Sequence, residues 1–504
     1  MSAPLILASI LLTSLSGGAA LALRGRPAAA QRLATALLVA GALLGIAGAL
    51  PALGGSAATF SGRWQTPGGS LSIRIDSLSA LFLLPILALP ALGSIYGLGY
   101  WPQAARGGSS IRVQGWYGLV TGAMTLVCVS ANAILFLAAW EVMAVAGFLL
   151  VLTEHEKPEA QRAAFVYLVA AHVGTLALFA LFALLGRLAG SFEFAAMTGL
   201  PGGTATAGWI FALALAGFGL KAGLVPLHFW LPGAHAAAPS HVSALLSGVL
   251  LKTGIYGILR VTGFFDAPPP AWGAVLLAAG AVSAVLGVGF ALAQHDLKRL
   301  LAYHSVENIG IIAMGTGLAL LGRTYAQPAL VVLGFSGAVL HVVNHATFKG
   351  LLFLGAGAVQ HATGTREIDH LGGLSRAMPI TAALFLVGAT AISGLPPLNG
   401  FASEWLVYLG AMQATFAPAA SPLQFALVAV PALALVGGLA AACFAKVFGT
   451  AFLGQPRSAH ATHAHEPPAT MLGPMGVLAA VCVAIGLAPG LLLPALSSAA
   501  AEWA

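Results

Sequence analysis

The chain has 504 residues, of which 59% are hydrophobic and 7% charged, against about 25% charged in an average soluble domain. So few charges cannot clothe a water-soluble molecule of this size, and most of the chain therefore belongs in lipid. The net charge of +7 forms no basic tract for nucleic acid, and Cys128, Cys443 and Cys482 stand singly in apolar runs without a C-x-x-C pair. They read as core thiols, which leaves any redox chemistry to another chain.

A bilayer core about 30 Å thick takes about 20 apolar residues of helix. The sequence offers fourteen such segments, at 4 to 23, 33 to 53, 78 to 99, 114 to 131, 133 to 153, 163 to 186, 208 to 229, 240 to 262, 271 to 292, 300 to 321, 328 to 359, 379 to 412, 425 to 452 and 471 to 496. The first has no basic residue ahead of it and Arg24, Arg26 and Arg32 behind it, the reverse of a cleavable signal peptide, so it reads as a retained helix. Cytoplasmic loops carry the excess of Lys and Arg. With the loop after the first helix inside, that side holds twelve basic residues: Arg24, Arg26, Arg32, Arg106, Arg112, Lys157, Arg162, Lys298, Arg299, Arg366, Arg376 and Arg457. The other side holds five, Arg63, Arg74, Arg187, Arg260 and Arg323. The imbalance predicts an outward N-terminus. Of the 21 basic residues, the remaining four are Lys221, Lys252, Lys349 and Lys446, all inside apolar segments.

A Lys or Asp at a helix centre costs about 2.5 to 3.5 kcal/mol, and such groups face a protein interior or a wet cavity by default. These four lysines with Glu141 and Glu404 would cost on the order of 15 to 20 kcal/mol unpaired, so a chain that keeps all six is using them. Glu141 sits in FLAAWEVMAVAGFLLV, with apolar residues for more than a turn on either side. Lys221 sits in GFGLKAGLVPLHFWLP, where Pro226 removes a helical hydrogen bond and frees carbonyls near the lysine. ISGLPPLNGFASEWLVY repeats the design with Pro396 and Pro397 ahead of Glu404. Broken helices at membrane depth line cavities or lie inside protein, as in transporters, so two half-channels are expected. In HVVNHATFKGLLFLGAG, His341, His345 and Lys349 fall at i, i+4 and i+8, on one helix face and about 6 Å apart. A proton relay also needs tunable groups, and a Glu141 to Lys221 pair that forms and breaks would switch the lysine between holding and releasing a proton.

At this point the residues resemble a family. GLKAGLVPLHFWLPGAHAAAPSHVSALLSGVLLKTGIYGILRV is similar to the central signature of the antiporter-like proton-translocating membrane subunits of complex I. HDLKRLLAYHSVENIGII and HVVNHATFKGLLFLGAGAVQHATGTREIDHLGGLSRAMP resemble more narrowly the hydrogenase-4 component B and formate hydrogenlyase membrane-subunit group, and the likeness covers roughly residues 75 to 455. It implies an all-α polytopic protein of about fourteen helices with two inverted five-helix repeats and a hydrophilic axis at the midplane. The divisions expected are an N-terminal three-helix region at 1–113, repeats at 114–262 and 263–455, and a last loop and helix at 456–504. It also implies proton-translocating roles for Glu141, Lys221, Lys252, His341, His345, Lys349 and Glu404, with Lys446 ranked last. Two departures stand out. Relatives of the hydrogenase type usually extend further than Ala504, and Glu404 makes the exit group acidic, so release there would work by a neutral-to-anionic switch.

The resemblance further implies a bacterial inner membrane, neighbouring membrane subunits, and a peripheral hydrogenase or dehydrogenase arm holding nickel–iron and iron–sulfur centres, with no cofactor or metal in this chain. A multi-subunit cation/proton antiporter, an inorganic-carbon uptake system and a non-conducting anchor are the alternatives. His228, His235 and His241 flank the turn between the Lys221 and Lys252 helices, where they either feed protons or tie down a Pro-rich turn. His172, His304 and Glu307 are further second-tier candidates. His460, His463 and His465 in HATHAHE read as a solvated, weakly metal-binding tract, three histidines without a fixed fourth ligand.

Overall fold

The computed structural model describes residues 2–23, 25–62, 64, 66–418 and 421–504; Arg24 and Arg63, used above for topology, lie outside the described residues. The major helices in chain order are α1 (Ser2–Leu15), α2 (Pro27–Leu53), α3 (Ser77–Tyr100), α4 (Gly108–Val129), α5 (Ala133–Val151) and α6 (Pro158–Ala189). They continue as α7 (Ala205–Ala222), α8 (Leu231–Ala237), α9 (Ser240–Thr262), α10 (Pro270–Leu292), α11 (Leu297–Thr324) and α12 (Pro328–Thr363). The last are α13 (Pro379–Ile392), α14 (Asn399–Met412), α15 (Ala429–Ala451), α16 (Ala469–Leu487) and α17 (Leu493–Trp503). Among the described residues, 11 helical stretches are long and apolar enough to cross a membrane, and α1 and α13 are shorter apolar helices. The chain is an all-helical polytopic membrane protein.

Helix ends follow local chemistry. Pro27, Pro158, Pro270, Pro328 and Pro379 open their helices, where a missing N–H costs nothing. Asp76, Asn132 and Asp296 accept the first backbone N–H groups of α3, α5 and α11. Gly190 and Gly364, with φ of 70° and 72°, close α6 and α12 in the left-handed region. Burial sorts centre from rim: the apolar windows of α9 and α11 are 100% buried inside the chain, whereas those of α15 and α16 are 33% buried. The lysine and histidine helices thus form the middle of the molecule.

Several boundaries differ from the sequence reading. The segment expected at 471 to 496 stops at Leu487, because Ala488–Pro489–Gly490 ends α16 before α17 begins. The segment at 4 to 23 is interrupted at Ser16 and Gly17. A hairpin of β1 (Ala58–Gly62) and β2 (Leu71–Ile75) interrupts the all-α pattern, its LSIRI strand burying Ile73 and Ile75 while Arg74 points out. Two helices are locally underwound into wider π turns, Leu215–Gly219 in α7 and Leu246–Leu250 in α9, each ending two residues ahead of a lysine. Such turns free carbonyls from the i to i+4 ladder. The Val225–Pro226 and Pro396–Pro397 peptide bonds, in the two anticipated helix breaks, are cis.

Candidate functional site

Lys221 lies at the end of α7, where the break begins at Gly223 (φ 83°). The side chain is buried and donates to Tyr167 Oη of α6 at 3.0 Å. Its ammonium sits 5.1 Å from the Tyr167 ring centroid and 5.8 Å from that of Trp140, so aromatic faces replace part of its hydration. Trp230 Nε1 donates to the freed Leu220 carbonyl at 2.9 Å, and Ser283 Oγ accepts from Val225 N at 3.0 Å. The break is thereby satisfied by protein.

The anticipated Glu141 to Lys221 ion pair is not formed. Glu141 projects from the outer face of α5, 33% exposed, and its Oε1 lies 2.9 Å from His172 Nε2 of α6. The apolar flanks in sequence hid this, since a helix embedded in lipid is apolar on its exposed face as well.

Lys252, next along the axis, is fully buried and donates to the Ser247 carbonyl of its own π turn at 2.5 Å. The same Nζ contacts His345 Nδ1 on α12, which links α9 to the histidine ladder. The rings of His341 and His345 are 6.4 Å apart and nearly parallel. His341 bonds Ser403 Oγ of α14 at 2.9 Å through Nδ1 and Asn308 Oδ1 of α11 at 3.0 Å through Nε2. Asn344 Nδ2 donates to Ser403 Oγ at 2.9 Å and to the Asn399 carbonyl at 2.6 Å, holding the second break against α12. Ser403 precedes Glu404, which is buried beside Gly394 and borders a cavity of about 330 Å³. Lys349, the third rung, contacts the Leu301 carbonyl of α11 and lies 5.5 Å from the Phe353 ring. Lys252, His345, His341 and Ser403 therefore follow one another across three helices, and Glu404 is the next residue after Ser403 on α14.

The second-tier residues fall into separate places. His235 is fully buried on α8, and neither ring nitrogen has a hydrogen-bond partner among the described residues. His241 packs between Tyr100 and Tyr117, and His228 lies in the turn beside Phe290. His304 and Glu307 contact each other, both buried on α11. Lys446 donates to the carbonyls of Leu292 and Gln294 at 2.8 and 3.1 Å, so it caps α10 and does not join the axis. Among the described residues no three His, Cys, Asp or Glu side chains come together to hold a metal, His460, His463 and His465 included.

Three features were not read from sequence. Lys298, counted with loop residues, is 1% exposed and contacts the carbonyl of Ala238, the residue that closes α8. Asn308 and Ser403 looked like ordinary packing residues in apolar runs, although a polar side chain flanked by Glu307 or Glu404 is the signal that marks them. Finally, Arg260 of α9 forms a fork on Asp76, with contacts of 2.6 and 2.9 Å, and also donates to Tyr256 Oη. Asp76 lies outside the apolar spans as the cap of α3. Burial alone would raise its carboxyl, but the Arg260 guanidinium and the Ser79 N–H outweigh burial and hold it well below the usual carboxylate range.

Residues 130–426, more than half of the chain, match the family described as NADH:quinone oxidoreductase/Mrp antiporter, transmembrane. The chain belongs to this family. Hydrogenase-4 component B of Escherichia coli is 43% identical over 428 residues, which are 84% of this chain and 63% of that protein. Formate hydrogenlyase subunit 3 of E. coli is 36% identical over 473 residues, covering 92% and 75% respectively. The chain thus spans a little under two thirds of the first of these relatives. Respiratory complex I from Thermus thermophilus contains a chain of the same fold, with a TM-score of 0.78, 25% identity, and coverage of 99% of this chain and 100% of that one. The family anticipated from the motifs is the family found.

Proposed function

We propose that the chain is a proton-translocating membrane subunit of a redox-driven complex of the hydrogenase-4, formate hydrogenlyase or NADH-quinone oxidoreductase type. The observation that carries this reading is the Lys252 to His345 contact, because it joins a buried lysine on one side to a ladder that reaches Ser403, the residue before Glu404, on the other. In this reading Lys221 and Lys252 hold protons on the first side. His345 and His341 pass them on, with Lys349 as a further holding group, and Glu404 releases them through the cavity beside it. Glu141, paired with His172 on the outer face, receives the influence of a neighbouring membrane subunit.

The finer architecture is part of the proposal: about fourteen helices, with inverted repeats at 114–262 and 263–455, in a bacterial inner membrane with the N-terminus outside. Moving one charge against 100 mV costs about 2.3 kcal/mol, which a partner's redox reaction supplies. Nickel–iron and iron–sulfur centres are assigned to that peripheral arm. The family description, which includes Mrp antiporters, keeps a second reading in view, a subunit of a cation/proton antiporter. Proton uptake into inverted vesicles containing the assembled complex tests the proposal. Glu404→Gln should cut the initial rate at least about tenfold with assembly retained. An unchanged rate would favour a non-conducting anchor, and proton movement that requires sodium or potassium would favour the antiporter.

A further inference from the structure

The cavity beside Glu404 has the make-up of a ligand site. It encloses about 330 Å³ between α14 and α15, within the usual size of small-molecule pockets, and Glu404, Trp405, Tyr408, Gly437 and Gly438 are among its walls. Glu404 is 7% exposed, borders the cavity, and has no hydrogen bond or ion pair with another described residue. Its carboxylate rests against Gly394, where a Cβ would lie 2.5 Å from Oε2. Ser393, the nearest hydroxyl in the break, is already committed to the Ala389 carbonyl at 2.8 Å. Phe401 and Trp405 stack at 5.9 Å along the mouth and are 37% and 47% exposed on the apolar surface.

A buried carboxyl without a partner ionises when a cation joins it, and the walls decide which kind. A bare metal cation of the hard class is bound by six or more oxygens, whereas the side chains lining this cavity offer one carboxylate and the hydroxyls of Ser393 and Tyr408. Aromatic faces and glycine walls suit instead a cation with an apolar body, held partly by cation–π attraction. The cavity borders the exposed apolar side chains of Phe401 and Trp405, which favours a ligand that itself carries apolar surface. We propose that this cavity binds a lipophilic organic ammonium ion, with the ammonium on Glu404 and the apolar body against Phe401, Trp405, Gly437 and Gly438. The occupant would take up the carboxylate that the preceding section gives to proton release. Binding itself does not depend on that role, so the two stand or fall separately.

The test is calorimetric titration of adamantylammonium into the full chain in lipid nanodiscs, with empty nanodiscs subtracted and neutral adamantanol as the control. Wild-type protein should show saturable binding of the amine that Glu404→Gln weakens about tenfold or more, while adamantanol does not distinguish the two proteins. A Cβ at Gly437 meets open space, so Gly437→Leu should fill the cavity, keep the wild-type Tm and weaken the amine similarly. Equal affinity of wild type, Glu404→Gln and Gly437→Leu would overturn the proposal, as would absence of saturable binding above lipid. So would displacement of the amine by sodium but not by potassium, which would mark an inorganic cation site.

Discussion

At the first helix break, Gly223 turns the chain away from α7, and protein groups meet it: Trp230 takes the Leu220 carbonyl, Ser283 takes Val225 N–H, and Tyr167 takes Lys221. At the second, Gly394 turns the chain away from α13, and Asn344 anchors the far side, but Glu404 faces a cavity of about 330 Å³. The same device therefore serves two ends. A lysine is enclosed by aromatic rings, and an acid borders a cavity. A group that holds a proton inside a packed region and one that exchanges it with a cavity need these opposite surroundings.

This contrast can be broken from either side. Lys221→Ala should reduce proton movement by at least about tenfold, since no other amine lies in that aromatic enclosure, and the variant should still assemble; vesicle proton uptake checks it. Tyr167→Phe removes the hydroxyl that fixes Lys221 and should cost less, about threefold to tenfold in the same assay, a typical net hydrogen bond being worth about 0.5 to 1.5 kcal/mol. Outside the axis, Arg260→Met takes the guanidinium fork from buried Asp76 and leaves it only Arg74 Nε at 3.6 Å and the Ser79 N–H, so Tm should fall by the equivalent of about 3 kcal/mol. The smallest effect belongs to the exposed pair. His172→Ala should change stability by less than about 1 kcal/mol.

Asp76 gives a pH signature. Its carboxyl is held below its unfolded value, about 3.9, so its contribution to stability is fully present above that pH and is lost as pH falls toward the folded value. Thermal melts should therefore be insensitive to this group at neutral pH and drop in acid. Asp76→Asn should remove that part of the acid dependence.

The order of spans was legible because lipid demands long apolar helices, and the breaks were legible because Pro226, Pro396 and Pro397 cannot continue one. The histidine face of α12 was legible from its spacing of four. What periodicity does not carry is direction across lipid: Glu141 and Glu404 have similar apolar flanks, yet one points outward to His172 and the other inward. Nor does it carry contacts between distant segments, such as Arg260 with Asp76 or His341 with Ser403. The π turns before Lys221 and Lys252 left no mark in the sequence pattern, since an inserted residue in a uniformly apolar helix shifts no visible stripe.

The central claim is that the two sides act in series through the Lys252 to His345 contact. Proton uptake by inverted vesicles carrying the assembled complex with Lys252→Met tests it most directly. The account predicts a loss of at least about tenfold with the partner's electron transfer chemistry still measurable. Wild-type proton uptake by that variant would contradict it.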